Sequence, residues 1–309
     1  NRLYTLCSAI EYAKRNRRKL VVDWSDGLYG EKGKNIFWEY FDIIDLPVSK
    51  EYPDNNKEIT MYPNNQLLMN PGDIYDIYKF VPHLKFPGRF YPYTNFGKLS
   101  RIWHAWVKKE EKNTQSWRRI INNSFCEVGG SLKEGLKDDV VFFLDHRPEF
   151  DRSTLFQHIR LRSRLEDKIE RLAAQMDLER ETVGIHIRSS DKVPTRNISV
   201  LINIIKKRFC RYSIFLATDS RSVEEIFDNS TSLEVKKLDK TLSEMNRPLH
   251  KMQSNSARKK DILHESILDM WLLSRCNHLL YQGNSTFSNI SRLLHAKGGM
   301  VEDWLGMEL

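Results

Sequence analysis

Polar and charged side chains follow three apolar runs in the second half of the chain. His186 and Arg188 lie at the end of the first run, Asp219 follows the second, and Ser285 and Thr286 follow the third. The planar guanidinium of an arginine can bind two phosphate oxygens at once. A serine or threonine at the start of a helix adds a hydroxyl group to the N–H groups and the positive dipole end of that helix. These residue types at these positions indicate a site for a phosphorylated ligand.

Each of these residues also has a purely structural interpretation. Arg188 could pair with a nearby carboxylate such as Asp191. Asp219 could accept from a ribose hydroxyl or hold a loop, or it could cap a helix at 221–227, because Asp is a preferred N-cap residue. The turn at 282–288 lacks the Gly-Lys-Ser/Thr signature of a P-loop, and similar strand–Gly–Ser–helix turns are frequent in α/β proteins.

Asp269 is unusual because it lies within the apolar run 267–273. Burial of an unpaired carboxylate is costly, so a buried Asp269 is expected to receive specific hydrogen-bond donors. Guanine offers two such donors, its N1–H and its exocyclic amine. The alternative is an exposed position on the polar side of a helix, next to Glu265 and Ser266.

Strands and helices alternate in this half of the chain. Apolar runs predict strands at 182–187, 213–218, 233–238, 278–281 and 299–302. Helical periodicity predicts helices at 161–176, 198–208, 221–227, 262–275 and 286–295. The alternation predicts an α/β fold with a doubly wound parallel sheet, in which ligands bind at the carboxyl ends of the strands.

The first half of the chain is less regular. A helix at 3–15 and a strand at 20–24 predict the start of another α/β unit, and a helix at 99–122 and a strand at 140–145 follow. A strand is expected before the first helix, so we expect the start of this unit to be truncated before Asn1.

The composition limits the class of protein. The chain has 309 residues and a formal net charge of +8, and this basic balance favours an anionic partner. No nucleic-acid-binding motif accompanies the charge, so we expect no nucleic-acid partner.

No apolar run approaches the length of about 20 residues that a membrane helix needs. Cys7 and Cys276 lie on apolar helix stripes and are expected to be buried thiols, which favours a cytoplasmic protein, soluble or peripheral to a membrane. A Golgi luminal domain is the alternative.

Taken together, three sequence blocks resemble the α-1,6-fucosyltransferases, the family of the rhizobial nodulation-factor enzymes and the animal core enzymes. The blocks lie at 183–193, 215–219 and 267–288, and their order and spacing fit the family throughout 183–294. The match in the first half, at 6–24, is thinner.

The resemblance implies a GT-B fold, in which two Rossmann-like domains face a cleft. Residues 1–160 would form the acceptor-side domain and residues 161–309 the domain that binds the GDP-sugar. The implied reaction is an inverting transfer of fucose from GDP-fucose to a glycan hydroxyl, for example through an α-1,6 linkage to N-acetylglucosamine. No metal and no cofactor are expected. The Asp-x-Asp spacing of metal-dependent glycosyltransferases is also missing from the sequence.

The resemblance also implies roles for residues that match the family's motifs. Arg188 and Ser285 match positions that bind the diphosphate, and His186 and Asp269 match positions that recognise guanine. Asp219 matches an acidic residue at the nucleotide, and Asp191 and Lys192 match charged positions of the donor site. Thr286 would add a second hydroxyl group beside the diphosphate. Arg188, Asp191 and Lys192 are the candidate catalytic residues.

Two residues depart from the family pattern. Ser189 replaces the second of two consecutive arginines, and Arg196 stands where the animal enzyme has its proposed catalytic Glu. The acceptor hydroxyl still needs a proton acceptor within hydrogen-bond reach, and Asp191, Asp23 and Asp26 are candidates. The departure leaves two alternatives open: a transferase for another GDP-sugar, and a non-catalytic module that binds a glycan or a nucleotide.

Overall fold

The structure is a computed structural model that divides into two compact units. The first comprises Asn1–Val22 and Asp45–His158, and the second Asp23–Ile44 and Ile159–Leu309. Within them the structure describes residues 2–25, 27–31, 33–50, 155–190, 194–230, 232–243, 256–295 and 298–308, with the backbone of four short strands at 61–62, 85–86, 89–90 and 140–141.

The described elements are numbered in chain order. The helices are α1 (Arg2–Arg15), α2 (Phe37–Tyr40), α3 (Leu155–His158), α4 (Ser163–Gln175), α5 (Ile198–Arg208), α6 (Arg221–Ser230), α7 (Ser256–Arg275) and α8 (Thr286–Leu294). The strands are β1 (Leu20–Val21), β2 (Phe41–Ile43), β3 (Val48–Ser49), β4 (Met61–Tyr62), β5 (Lys85–Phe86), β6 (Arg89–Phe90), β7 (Val140–Val141), β8 (Ile159–Leu161), β9 (Thr182–Ile187), β10 (Ser213–Thr218), β11 (Val235–Lys236), β12 (His278–Tyr281) and β13 (Val301–Asp303).

The first unit begins with the predicted helix and strand. The buried side chains of α1 recur at helical spacing and include Leu3, Leu6, Cys7 and Ile10. Strand β1 pairs in parallel with β3, β4 with β7 in parallel, and β5 with β6 in antiparallel orientation. The helix predicted at 99–122 and most of the strand predicted at 140–145 lie outside the described residues.

A five-stranded parallel sheet forms the centre of the second unit. Its strand order is β11-β10-β9-β12-β13, which is the 3-2-1-4-5 order of doubly wound nucleotide-binding sheets. The strands at 182–187, 213–218 and 278–281 and the helix at 198–208 have the predicted bounds, and the predicted α/β class is confirmed. The strand order reverses between β9 and β12, so ligands are expected beyond the carboxyl ends of these two strands.

The two faces of β9 pack against different helices. Val183, Ile185 and Ile187 belong to the core cluster that includes the apolar side chains of α5. The residue between the first two, Gly184, faces α7: a Cβ built there would lie 2.9 Å from Cys276 Sγ. Burial of alternate residues on both faces explains why β9 is a continuous apolar run.

Residues 23–44 belong to the second unit, although the sequence prediction placed them in the first domain. Strand β2 pairs antiparallel with β8, with Phe41 opposite Leu161. Phe41 also lies 5.9 Å, between ring centroids, from Trp271 on α7. The aromatic side chains of this segment therefore pack on residues that follow more than a hundred positions later. The binding roles predicted for 1–160 and 161–309 stay predictions.

The close approach of Gly184 to α7 leads to a testable prediction. The added methyl group of Gly184→Ala would overpack the contact with Cys276 and Leu273, so the free energy of unfolding should fall by about 1–3 kcal/mol. Urea unfolding measures this loss. Gly298→Ala is a matched control, because its Cβ would meet no atom within 4 Å and the change should stay within about 0.5 kcal/mol. Equal stability of the two variants would contradict the packing argument.

Candidate nucleotide-binding site

Gln282 connects the carboxyl ends of β9 and β12. Its side-chain Oε1 accepts a hydrogen bond from Arg188 N at 2.8 Å, and its backbone N donates to Ser288 Oγ at 3.2 Å. Ser288 Oγ is in turn hydrogen-bonded to His186 Nδ1. Because Gln282 and Ser288 are fully buried, these bonds fix both strand ends away from water.

His186 is held in one orientation. Ser288 Oγ accepts from Gln282 N and is hydrogen-bonded to His186 Nδ1; with the hydroxyl as the donor of this second bond, the imidazole proton lies on Nε2. The ring stacks on Phe287 with 4.6 Å between centroids. Burial lowers the pKa of His186 well below 6.5, with contributions from the charges of Arg188 and Lys240. At neutral pH the ring is therefore uncharged and presents an N–H donor.

Asp219 shapes the loop after β9. Its Oδ1 accepts from Ser189 N at 2.8 Å and from Ser190 N at 3.2 Å, and its Oδ2 accepts from the Ser190 hydroxyl. Of its alternative roles, loop holding is therefore the one seen in the structure. These bonds direct the backbone that leads from Arg188 towards residues 191–193, which lie outside the described residues.

Asp269 is buried within α7, so the alternative of an exposed position is wrong. Its Oδ2 pairs with Lys240, which follows β11, while its Oδ1 is buried without a hydrogen-bond partner among the described residues. Burial raises the pKa of Asp269, and the charge and hydrogen bond of Lys240 oppose that rise. Sequence reasoning missed Lys240, because it lies in a polar stretch without periodicity.

Ser285 is the N-cap residue of α8, and Thr286 is its first residue. Ser285 is fully buried, and within the described part of the chain its hydroxyl has no hydrogen-bond partner. The neighbouring Gly283 donates its N–H to Asp303 Oδ1 at 2.9 Å. A Cβ at Gly283 would lie 1.9 Å from Asp303 Oδ2, so only glycine allows this close approach. The turn thus places a buried hydroxyl at the N-terminal end of a helix.

Arg196, at the position where the family has a Glu, binds backbone carbonyl groups. Its Nη1 donates to Trp304 O at 3.3 Å and to Met307 O. Trp304 is fully buried and donates its Nε1–H to His186 O at 3.2 Å. Arg196 thereby fixes residues 304 and 307, and Trp304 in turn binds the end of β9. No sequence motif revealed this role of Arg196.

The candidate general bases are described only in part. Asp191 and Lys192 lie outside the described residues, as does Asp26. Asp23 Oδ1 accepts from Ser25 N at 2.8 Å. In the part of the chain that the structure describes, no three His, Cys, Asp or Glu side chains are grouped so that they could hold a metal ion. No described helix is long and apolar enough to cross a membrane.

Solved structures with a similar fold include fucosyltransferases. The fucosyltransferase NodZ from Bradyrhizobium superposes with a TM-score of 0.59 at 20% identity, covering 94% of this chain and 88% of that chain. NodZ α-1,6-fucosyltransferase co-crystallised with GDP gives the same TM-score and identity, with 94% and 87% coverage. The chain has the fold of these fucosyltransferases. This likeness confirms the predicted GT-B-type fold class, while the arrangement of the two domains stays a prediction.

A more distant fucosyltransferase has a comparable fold. POFUT1 in complex with GDP superposes with a TM-score of 0.50 at 14% identity, covering 97% of this chain and 93% of that chain. No protein-family model matches the chain, and no curated protein matches it by sequence. At these identities the comparisons establish the fold, and the chemistry has to be argued from the site.

The buried, neutral state of His186 predicts a pH dependence of stability. An imidazole whose pKa is lowered by folding takes up its proton more readily in the unfolded chain, so the stabilisation is complete above about pH 6.5 and is lost as the pH falls towards the folded pKa. Below pH 6.5 one such group lowers the free energy of unfolding by about 1.4 kcal/mol per pH unit.

His186→Asn should remove this component while keeping an acceptor for Ser288. Urea unfolding of both proteins between about pH 7 and 5 gives the two slopes. His264 and His278, whose pKa values are also lowered by burial, contribute to both slopes and cancel in the difference. Equal slopes would show that His186 is not buried in a neutral form.

Proposed function

We propose that this chain is a fucosyltransferase that moves fucose from GDP-fucose to a glycan hydroxyl with inversion and without a metal ion. The observation that carries the proposal is a donor and an acceptor on two packed elements: the His186 imidazole, with its proton on Nε2, at the end of β9, and the buried Oδ1 of Asp269 on α7. Helix α7 packs directly on β9, because a Cβ at Gly184 would lie 3.3 Å from the Leu273 side chain.

Such a pair is complementary to the edge of guanine. The guanine O6 would accept from His186, while N1–H and the exocyclic amine would donate to Asp269. Adenine offers an acceptor and one amine donor on the corresponding edge, and it would leave the carboxylate with one hydrogen bond fewer. A buried acceptor that receives fewer bonds is costly, so the site favours GDP over ADP.

The diphosphate would bind at Arg188 and the N-terminal end of α8. Arg188 is half-buried at the end of β9, and Ser285 and Thr286 begin the helix. Departure of GDP places negative charge on the β-phosphate, which a fixed guanidinium and helix N–H groups stabilise as it develops. Because Ser285 is fully buried, its hydroxyl reaches the phosphate only after neighbouring side chains move.

The acceptor hydroxyl would attack the fucose carbon from the face opposite to GDP and lose its proton to a base. A guanidinium does not accept protons at neutral pH, and Arg196 is engaged with two carbonyl groups. We therefore assign the base to another residue, with Asp191, Asp23 and Asp26 as the candidates and Lys192 as a charge at the donor. In this proposal residues 1–160 bind the oligosaccharide acceptor.

Arg196 also favours a second function, a non-catalytic module that binds GDP-sugars or glycans. In that case GDP binds, but no transfer occurs. A transferase for another GDP-sugar is the third candidate, because the contacts proposed above involve only GDP. The protein is proposed to work at the cytoplasmic side, soluble or peripheral to a membrane, and its positive charge attracts the anionic donor rather than nucleic acid.

Nucleotide binding is the first test of the proposal. GDP at about a hundred times its Kd should stabilise the protein by about 2.7 kcal/mol, which raises Tm by about 5 °C or more, whereas ADP should have little effect. Arg188→Ala should abolish most of the GDP shift, because the charge-assisted bonds to the diphosphate are lost. Thermal shift measurements with both nucleotides provide the readout.

Arg211→Ala is a matched control for this experiment. Arg211 is an exposed arginine just before β10, at the amino-terminal ends of the strands, whereas the proposed site lies at their carboxyl ends. Its replacement should leave the GDP shift unchanged. Absence of a GDP shift in the unsubstituted protein would refute the proposed function.

Transfer activity separates the three candidate functions. We expect release of GDP from GDP-fucose that rises when a chitin or N-glycan fragment is added, and slower release from GDP-mannose. A higher rate with GDP-mannose would favour the related transferase. GDP binding without transfer to any acceptor would favour the non-catalytic module.

A further inference from the structure

Lys240 and Asp269 form an ion pair that is almost entirely removed from solvent. The Lys240 Nζ contacts Asp269 Oδ2, and the two side chains are 5% and 6% exposed. A buried ion pair loses much of its Coulomb energy to desolvation, so burial alone does not explain why this pair is retained. Asp269 lies on α7, which packs on β9, the strand that carries His186, and the charge of Lys240 contributes to the lowered pKa of that imidazole.

The backbone around Lys240 is fixed to the elements that surround the site. Thr241 N donates to Glu265 Oε2 at 3.0 Å, which anchors the segment on α7. Ser243 N donates to Asp219 O at 2.9 Å, which anchors it at the end of β10. The backbone that carries Lys240 is therefore anchored on both α7 and the end of β10, independently of its ion pair.

The two carboxylate oxygens of Asp269 are in different situations. Oδ2 is neutralised by Lys240, while Oδ1 is buried and has no hydrogen-bond partner among the described residues. A buried acceptor without a partner costs stability, and native proteins retain few of them. Such an atom beside the neutral His186 points to a ligand that supplies N–H groups.

We propose that Lys240 is a positioning and specificity residue: it binds Oδ2 of Asp269 and keeps the carboxylate ionised, so that Oδ1 accepts the two N–H groups of a guanine base. This inference rests on the proposed function and deepens it. Lys240 does not touch the base, and it acts only through the charge and orientation of Asp269.

The charges around Asp269 show why a cation is needed at this position. Glu265 on α7 and Glu224 on α6 both raise the pKa of Asp269, in the same direction as burial. Lys240 is the positive group that opposes them, and His186 on β9 is uncharged. Without Lys240 the pKa of the Asp269 carboxyl group would rise further, and in the protonated form its O–H would oppose the N–H donors of guanine.

The pH dependence of GDP binding tests this role. For Lys240→Met the Kd for GDP at pH 7 should rise about tenfold or more, because bonds to a charged acceptor become bonds to a neutral one. The ratio of the variant's Kd to that of the unsubstituted protein should fall as the pH is raised from about 6 to 9, since Asp269 ionises again. Using the ratio removes the titration of GDP itself. Isothermal titration calorimetry gives both constants.

Lys237→Met is the matched control. Lys237 precedes Lys240 by three residues and pairs with Glu224 and Asp228, partly in solvent. Its loss leaves the bond between Lys240 and Asp269 intact, so the Kd for GDP should change far less at every pH than in Lys240→Met. Circular dichroism of each variant verifies that it is folded.

A double variant keeps the test valid if Lys240→Met does not fold. Lys240→Met combined with Asp269→Asn leaves no buried unpaired charge, and we expect it to bind GDP as weakly as Asp269→Asn alone, independently of pH. GDP binding by the double variant at the unsubstituted level would overturn the inference.

Two outcomes separate this inference from the proposed function. Failure of the unsubstituted protein to bind GDP refutes both. Normal GDP binding with a Kd ratio of one, or with a raised ratio that does not change with pH, overturns the role of Lys240 and leaves the proposed function standing.

Discussion

The hydrogen bonds of Gln282 hold the carboxyl ends of β9 and β12 in one arrangement. The neighbouring parallel strands β9 and β12 stop pairing beyond Ile185 and Leu280, so the backbone groups that follow need other hydrogen-bond partners. Gln282 replaces that pairing: its side chain receives the N–H of Arg188, and its backbone N–H reaches Ser288 and thereby His186. A glutamine has both an acceptor and a donor end, and the donor end is used by Asn284. The orientation of the imidazole, the direction of Arg188 and the start of α8 are all linked through this one residue.

Much of the sheet could be predicted from the sequence, because burial on both faces makes its strands continuous apolar runs. The bounds of β9, β10 and β12 follow directly from those runs. The site was harder to predict, because its supporting contacts join residues far apart in the chain. Lys240 lies in a polar segment, and Gln282 looks like an ordinary turn residue. Helix α7 begins at Ser256, earlier than predicted, because its first residues are mostly exposed and add nothing to the apolar period.

Arg196 illustrates how one substitution can change the role of a position. A glutamate there would bring a negative charge to carbonyl oxygens, whereas the arginine donates to two of them and fixes residues 304 and 307. The end of β9 gains support through Trp304, and the position becomes unsuitable for proton transfer. If the chain transfers fucose as proposed, a residue other than Arg196 takes the proton of the acceptor hydroxyl.

The aromatic side chains of residues 23–44 have a consequence for the newly synthesised protein. Trp24, Phe37 and Phe41 pack on one another, and Phe41 completes the group against Trp271, which lies 230 positions later in the chain. At ribosomal speeds of about 5–20 residues per second, this partner emerges roughly 10 to 50 seconds after the segment itself. During that interval the apolar surface has no native place to pack. The native contact between Phe41 and α7 therefore forms only late in synthesis, after most of the second unit has been made.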